Sequence, residues 1–127
     1  MNLDDHSGDR SYLFGRILAY YDNLESWALR EMGARRMTNA MRLKSRFRQA
    51  PAKTAEILDR QLEPYLKKLG GHSVGRLGEL RALYKKLDQI GGFHNAPLDE
   101  QYLLGYYCQL ENLYQSKKES EQEKEEK

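Results

Sequence analysis

Apolar residues recur at three- and four-residue steps along most of the chain, the spacing that places them on one face of an α-helix. The clearest stripe runs from Leu13 to Ala28 and predicts a first helix over residues 11–32. Gly15 lies inside that stripe, where glycine costs a helix about 1 kcal/mol relative to alanine, so we expect a close helix crossing there. Valine and isoleucine are scarce, and no long stretch alternates apolar with polar residues. The pattern therefore predicts an all-α fold, a compact bundle with a charged C-terminal tail.

Residues that start or stop helices divide the chain into about five helices. The predicted helices cover about 11–32, 38–50, 54–69, 73–90 and 99–115. Their ends are marked by Asp9 or Ser11, Gly33, Thr38 or Asn39, Pro51, the pair Gly70 and Gly71, Ser73, the pair Gly91 and Gly92, and Asp99. In domain terms we expect an acidic, unordered leader over 1–9 and one helical bundle over 10–116. A charged tail over 117–127 either extends the last helix or is disordered.

Some positions carry sharper expectations. Pro64 removes a backbone donor inside the third helix, so a kink or a break is predicted near Leu62. Phe93 is expected in the core, and Leu98 and Leu103 occupy the two positions of a hydrophobic staple. The predicted buried face of the fourth helix consists of Val74, Leu77, Leu80, Tyr84, Leu87 and Ile90.

Length and composition narrow the class of protein. The chain has 127 residues, of which 39% are apolar and 31% charged, which suits one globular domain. No apolar run approaches the roughly 18 residues of a membrane span, and the acidic N-terminus is unlike a secretory signal. Cys108 is the single cysteine, which excludes an internal disulfide and a cysteine-based zinc site. We expect a cytoplasmic protein without membrane partners.

Charge is distributed unevenly, although the net charge is only +2. Residues 10–86 hold seventeen Lys and Arg against seven Asp and Glu, and both ends are acidic. No acid occurs between Glu31 and Glu56, a window that contains seven bases. Ordinary surface helices mix the two signs, so this window indicates contact with a polyanion more than a merely solvated face.

The candidate nucleic-acid-binding residues follow from this window. The first group comprises Arg35, Arg36, Arg42, Lys44, Arg46, Arg48 and Lys53. A second, weaker group comprises Arg30, Lys67, Lys68, Arg76, Arg81 and Lys85. Arg10 and Arg16 either join them or form structural pairs with an acid such as Asp22.

No catalytic residue, metal site or cofactor is expected. The three histidines are scattered, and the acids near His6 are better read as a polar leader than as a cation site. Cys108 fits a buried thiol, and the sequence has no phosphate-binding glycine loop. Core packing is favoured over base stacking for Tyr21, Tyr65, Tyr84, Tyr107 and Trp27. Both roles stay open for Tyr12, Tyr20, Tyr102 and Tyr114.

Several ordered motifs go beyond pattern. They are Asp9-Arg10-Ser11-Tyr12-Leu13-Phe14-Gly15-Arg16; Thr38-Asn39-Ala40-Met41-Arg42 followed by Phe47 and Pro51; Pro64-Tyr65-Leu66-Lys67-Lys68-Leu69; and Phe93, Pro97-Leu98 and Leu103-Leu104-Gly105-Tyr106-Tyr107-Cys108-Gln109. Over residues 9–115 the chain resembles the C-terminal helical region of the large subunit of the type I-C CRISPR Cascade complex, the Csd1 family.

The resemblance implies a separately made, non-catalytic small subunit of that complex. Such subunits are helical bundles that line its inner face and pack on the large and backbone subunits and on other copies of themselves. The implied nucleic-acid partner is the R-loop of guide RNA and target DNA, foremost the displaced non-target strand. Two other functions stay open: a protein scaffold without DNA contact, and an unrelated small helical regulator that binds nucleic acid.

Overall fold

The computed structural model describes the backbone of residues 2–125 and the side chains of residues 2–115. Its helices are α1 (Arg10–Glu31), α2 (Asn39–Arg42), α3 (Lys44–Gln49), α4 (Pro51–Leu69), α5 (Val74–Gln89) and α6 (Gln101–Glu125), with a 3-10 turn at Gly70–Ser73. The described residues contain no strand, and the all-α prediction is confirmed. None of the helices in this part of the chain has an apolar stretch of membrane-crossing length.

Helix α1 lies at the centre of the fold. It contacts α2, α4, α5 and α6, and every residue from Ser11 to Glu25 is buried. Over these residues other segments cover every face of α1, and not only the apolar stripe that the sequence predicted. Polar residues of α1 are buried with it, so their hydrogen-bond partners must come from the surrounding helices.

The crossing of α1 and α6 is close because glycine stands on both helices. A Cβ atom on Gly15 would meet the backbone of Tyr102 and Tyr106, and one on Gly105 would meet the backbone of Tyr12. The close crossing predicted at Gly15 is present, and Gly105 is its counterpart on α6. Backbone atoms this close leave no room for any side chain at either position.

The prediction of one continuous helix over residues 38–50 is wrong. The segment is divided at Leu43, whose ψ of 8° interrupts the helix between α2 and α3. No proline or glycine lies there, but the Tyr102 hydroxyl donates to the Lys44 carbonyl at 2.9 Å. Because that donor belongs to α6, contact between distant segments accompanies the interruption.

Helix α4 corrects two expectations. It begins at Pro51 rather than near Thr54, because proline at the first helical position lacks only an N–H that would have no helical partner. It also continues through Pro64, so the predicted break near Leu62 is wrong, and the alternative of a kink stays a prediction.

The exposure of several apolar side chains differs from what the sequence pattern predicted. Val74 and Ile90, predicted to be buried, are exposed, whereas Leu80 and Leu87 are buried as expected. Phe93 is 40% exposed, although its ring stacks on that of Phe14 at 6.2 Å. Val74 and Ile90 lie at the two ends of α5 and Phe93 lies in the loop after it, where the described residues cover each side chain only in part.

Tyrosine burial also departs from expectation in part. Tyr107 is 48% exposed, so its predicted core packing is wrong, whereas Tyr21 is fully buried. Both roles were open for four tyrosines, of which Tyr12, Tyr20 and Tyr102 are buried and Tyr114 is exposed. Cys108 is a buried free thiol, as predicted.

The acidic leader is tied to the bundle rather than unordered. Asp9 caps α1 by accepting from the Tyr12 N–H at 2.9 Å, and the Asp4 N–H donates to the Tyr12 hydroxyl at 2.9 Å. Asp5 accepts from Lys86 through its backbone carbonyl. At the other end α6 runs to Glu125, and residues 126 and 127 of the predicted tail lie outside the described residues.

Arg10 and Arg16 have structural partners, but Asp22 is not among them. The Arg10 guanidinium donates to the carbonyls of Gly92, His94 and Ala96, which holds the loop before α6 against α1. Arg16 is buried, and its Nε donates to Gln109 Oε1 at 2.7 Å.

Candidate nucleic-acid interface

Two buried carboxylates of α1 hold the start of the basic segment, by which we mean residues 35–53. Asp22 Oδ1 accepts from the Thr38 hydroxyl at 2.5 Å, and Glu25 Oε2 accepts from the Asn39 N–H at 2.6 Å. Thr38 in turn caps α2 by accepting from the Met41 N–H at 3.1 Å. The cap predicted from sequence is thus itself fixed to the central helix.

Burial shapes the electrostatics of this attachment. Removal from water raises the pKa of Glu25 from its ordinary 4.5 to about 7, and the nearby Asp22 charge adds to the rise, while the Asn39 N–H opposes it. Glu25 Oε1 is buried and has no hydrogen-bond partner within the described residues. Glu25 therefore keeps its proton to a higher pH in the folded protein than an exposed glutamate does.

The described residues supply no ion-pair partner to the seven cations of the basic segment, although the buried Glu25 carboxylate beneath it interacts with the Arg42 charge. Arg81, by contrast, pairs with Asp59 at 3.1 Å on another surface. Six of the seven are exposed, and Lys44 is half-buried. A group of like charges without ion-pair partners attracts anions more strongly than a mixed surface does.

Neutral groups position four of these cations. Arg36 donates to the Tyr65 hydroxyl at 3.2 Å and Arg42 to Asn39 Oδ1 at 2.5 Å. Two others contact α6 or the loop before it. Lys44 donates to the Tyr107 hydroxyl at 3.2 Å, and Arg48 donates to the Leu98 carbonyl at 3.2 Å. Uncharged acceptors orient a cation without cancelling its charge.

The core anchors the segment at few points. Ala40 of α2 and Phe47 of α3 are fully buried, and the Phe47 ring lies 5.9 Å from that of Tyr102. Thr54 donates to the Arg46 carbonyl at 3.3 Å, which joins α3 to α4. The cationic side chains therefore surround a narrow apolar attachment.

The second group of candidates is dispersed. Arg30, Lys67, Lys68 and Lys85 are exposed, but Arg76 is half-buried and donates to the Leu113 carbonyl at 3.4 Å. Arg81 is paired with Asp59 and lies over the Tyr84 ring. These residues belong to α1, α4 and α5 rather than to the basic segment, and Arg76 and Arg81 are already engaged by other groups.

Sequence reasoning missed two residues near the interface. Arg60 shares a groove of about 330 Å³ with Arg36 and Tyr65. It follows Asp59 in the sequence, so its charge looked locally balanced. Tyr107 exposes its ring beside Lys44, whose Nζ lies 4.8 Å from the ring centroid. No local signal distinguishes this tyrosine from its buried neighbour Tyr106.

Comparison with known proteins agrees with the motif resemblance at the family level. A family model described as CRISPR-associated protein (Cas_Csd1) matches residues 1–114, nearly the whole chain. No curated protein and no solved structure matches this chain.

Proposed function

Because the chain belongs to the CRISPR-associated protein family Cas_Csd1, we propose that it is a non-catalytic small subunit of a type I-C RNA-guided surveillance complex. In this role the bundle packs along the inner face of the complex, against the large and backbone subunits and further copies of itself. The basic segment binds the sugar-phosphate backbone of the R-loop, foremost the displaced single DNA strand.

One observation carries the proposal: the basic segment presents seven cations that no carboxylate within the described residues neutralises. Cations placed against phosphates release condensed counterions and bind without reading sequence. Formation of an R-loop exchanges duplexes of nearly equal stability, so modest backbone contacts are enough to shift the balance.

The test is the salt dependence of binding by the full chain. Fluorescence anisotropy of labelled single-stranded DNA is measured over a range of salt concentrations for the unchanged protein and for the double variant Arg42→Ala with Arg46→Ala. Two lost phosphate contacts should lower the slope of log K against log salt by about 1.4, because each contributes roughly 0.7 on single strands. The loss should be equal for DNA of different sequences.

The matched control is Arg81→Ala with Lys85→Ala on α5. It removes the same charge at the same spacing, but Arg81 is already paired with Asp59. Its slope should change much less. Equal loss in both double variants would show that only net charge matters, and loss confined to certain sequences would contradict a backbone-binding role.

The second candidate function is a protein scaffold, and exposed apolar side chains favour it. Met37 is 70% exposed and Met41 is also exposed, both within the basic segment, and Tyr107 exposes its ring beside Lys44. Leu104 on α6 is a further exposed apolar side chain. A photo-cross-linker at position 46 in the assembled complex separates the two functions. Cross-links to DNA support the proposal, whereas cross-links only to protein support the scaffold.

A further inference from the structure

A second cationic site lies away from the basic segment, in a cleft of about 550 Å³ formed by α1, α5, α6 and the leader. Arg16, Arg76 and Lys86 line it, together with the carboxylates of Asp5 and Glu79. Glu79 is engaged by the Tyr20 hydroxyl, which donates to it at 2.8 Å. Cations outnumber carboxylates in the cleft by three to two.

Arg16 is the unusual member of this set. Its side chain is only 7% exposed, and its Nε is taken by Gln109. Nη2 reaches Asp5 Oδ1 only at 3.5 Å, and Nη1 has no partner within the described residues. A buried guanidinium with incomplete hydrogen bonding is costly. Because Nη1 is itself covered, an anion in the cleft approaches Arg16 from the Nη2 side, where the long Asp5 contact leaves donor capacity.

Asp5 is a weak partner for so buried a cation. Its side chain is 70% exposed, and the contact with Arg16 is long. Exposed carboxylates gain little from such pairs because water competes for them. The leader is held beside the cleft by separate backbone contacts, from the Asp4 N–H to the Tyr12 hydroxyl and from Lys86 to the Asp5 carbonyl. The Asp5 side chain can therefore leave Arg16 without detaching the whole leader.

Arg76 of α5 supplies a second guanidinium to the cleft. It is half-buried, and its Nη2 donates to the Leu113 carbonyl at 3.4 Å, a length at the limit of a hydrogen bond. Among the described residues it forms no ion pair. Two guanidinium groups and an ammonium group around one cleft suit an anion with several acceptor oxygens at tetrahedral spacing.

We propose that this cleft binds a phosphate group, with Arg16 and Arg76 as the main donors, Lys86 as a further donor and the Asp5 carboxylate as the competitor that the phosphate displaces. The site is separate from the basic segment and does not depend on the function proposed for it. The phosphate is either a free anion or the terminal phosphate of a nucleic-acid strand, since both present the same oxygens.

The test titrates inorganic phosphate into the full chain and follows the arginine side-chain signals by NMR. We expect saturable binding that moves the Arg16 and Arg76 Nε–Hε signals. Asp5→Asn should tighten phosphate binding about two- to fivefold. The variant removes the competing Asp5 carboxylate, whose ion pair with Arg16 contributes only the small free energy of an exposed pair. Arg76→Gln should weaken binding at least about tenfold, as expected for a lost charge-assisted hydrogen bond.

Two further variants separate loss of the phosphate site from general loss of charge or of folding. Arg81→Gln removes a half-exposed arginine of the same helix outside the cleft and should leave the affinity unchanged. If Arg76→Gln fails to fold, Lys86→Gln replaces it, because Lys86 is exposed, and it too should weaken binding.

Three results would overturn the proposal: no saturable shift at millimolar phosphate, equal weakening by Arg81→Gln, or no effect of Asp5→Asn. A 5′-phosphorylated oligonucleotide and its unphosphorylated twin distinguish the source. Tighter binding of the phosphorylated strand identifies a strand end, and tighter binding of inorganic phosphate identifies a free anion. Either result supports the phosphate site.

Discussion

The α1–α6 crossing and the basic segment are built on opposite principles. At the crossing, Gly15 and Gly105 bring two long helices into backbone contact, and buried polar groups such as Arg16 find partners on the facing helix. The basic segment contains the short helices α2 and α3, whose only fully buried side chains are Ala40 and Phe47. Its charged groups point outward without carboxylate partners in the described residues.

The two regions therefore contribute differently: the crossing stabilises the fold, and the basic segment carries the positive charge. Close packing at the crossing supplies the rigid support, since dense interiors tolerate little change in shape. The basic segment contributes few apolar contacts, and its accumulated positive charge is unfavourable for folding. A surface that costs stability and is nonetheless held in place by capping contacts is typical of a binding site.

The largest expected effect tests the anchor of the basic segment. Phe47→Ala should lower the free energy of unfolding by about 3–5 kcal/mol, since a fully buried phenylalanine leaves a cavity. Urea denaturation measures this. Phe93→Ala is the matched control and should cost less than half as much, because Phe93 is 40% exposed. Equal losses would mean that Phe47 is not the principal attachment of the segment.

The crossing is tested by Gly15→Ala. The new methyl group would collide with the backbone of α6, so we expect a loss of about 3 kcal/mol, at the upper end of overpacking effects. Gly78→Ala in α5 is the control, because in the described part of the chain nothing lies within 4 Å of its added Cβ. That variant should gain about 0.5–1 kcal/mol from helix propensity. A harmless Gly15→Ala would refute the close crossing.

The buried carboxylate beneath the basic segment predicts a pH dependence. The folded pKa of Glu25, about 7, lies above its ordinary 4.5, so between these values the folded state holds a proton that the unfolded state has lost. The Glu25 contribution to stability is therefore complete below pH 4.5 and is lost as pH rises through 7. At about 1.4 kcal/mol per pH unit over this shift the loss reaches roughly 3 kcal/mol.

Glu25→Gln isolates this effect, because glutamine cannot ionise. It should be more stable than the unchanged protein at pH 8 by roughly 3 kcal/mol, and the two should be similar at pH 5. Thermal and urea unfolding at both values provide the measurement. Parallel pH profiles for the two proteins would show that Glu25 does not titrate in this range.

The capping contact predicts a smaller effect. Thr38→Ala removes the acceptor for the Met41 N–H and the donor to Asp22, and should cost about 1–2 kcal/mol. Thr38→Ser keeps the hydroxyl and should restore most of the loss. Amide hydrogen exchange over residues 39–49 should rise in the alanine variant alone. Uniform exchange changes across the whole bundle would instead indicate a global role.

The smallest effect on stability belongs to the exposed cations. Arg42→Ala with Arg46→Ala should change the free energy of unfolding by less than about 0.5 kcal/mol, as surface substitutions usually do. The same variant should lose affinity for DNA, as described above. A large stability loss in urea would place these arginines in the scaffold and undo the contrast between the two regions.

Much of the fold could be predicted from the sequence, because the signals involved act over short distances. Helix periodicity and the caps at Asp9 and Thr38 depend on residues within about one helical turn. Gly15 is recognised in the same way, because it stands inside the apolar stripe of α1. The absence of acids between Glu31 and Glu56 likewise identifies the basic segment without any structure. These features are local, so the order of residues along the chain is sufficient to reveal them.

Tertiary packing alone decided the rest. It divided the second helix at Leu43, brought Arg60 beside Arg36, exposed Tyr107 and placed the Asp5 carboxylate against Arg16. Each outcome depends on which helix covers which face, and that is set by contacts between residues far apart in the chain. Whether a cation meets a carboxylate, a neutral acceptor or open solvent is therefore determined by the fold and not by its sequence neighbours.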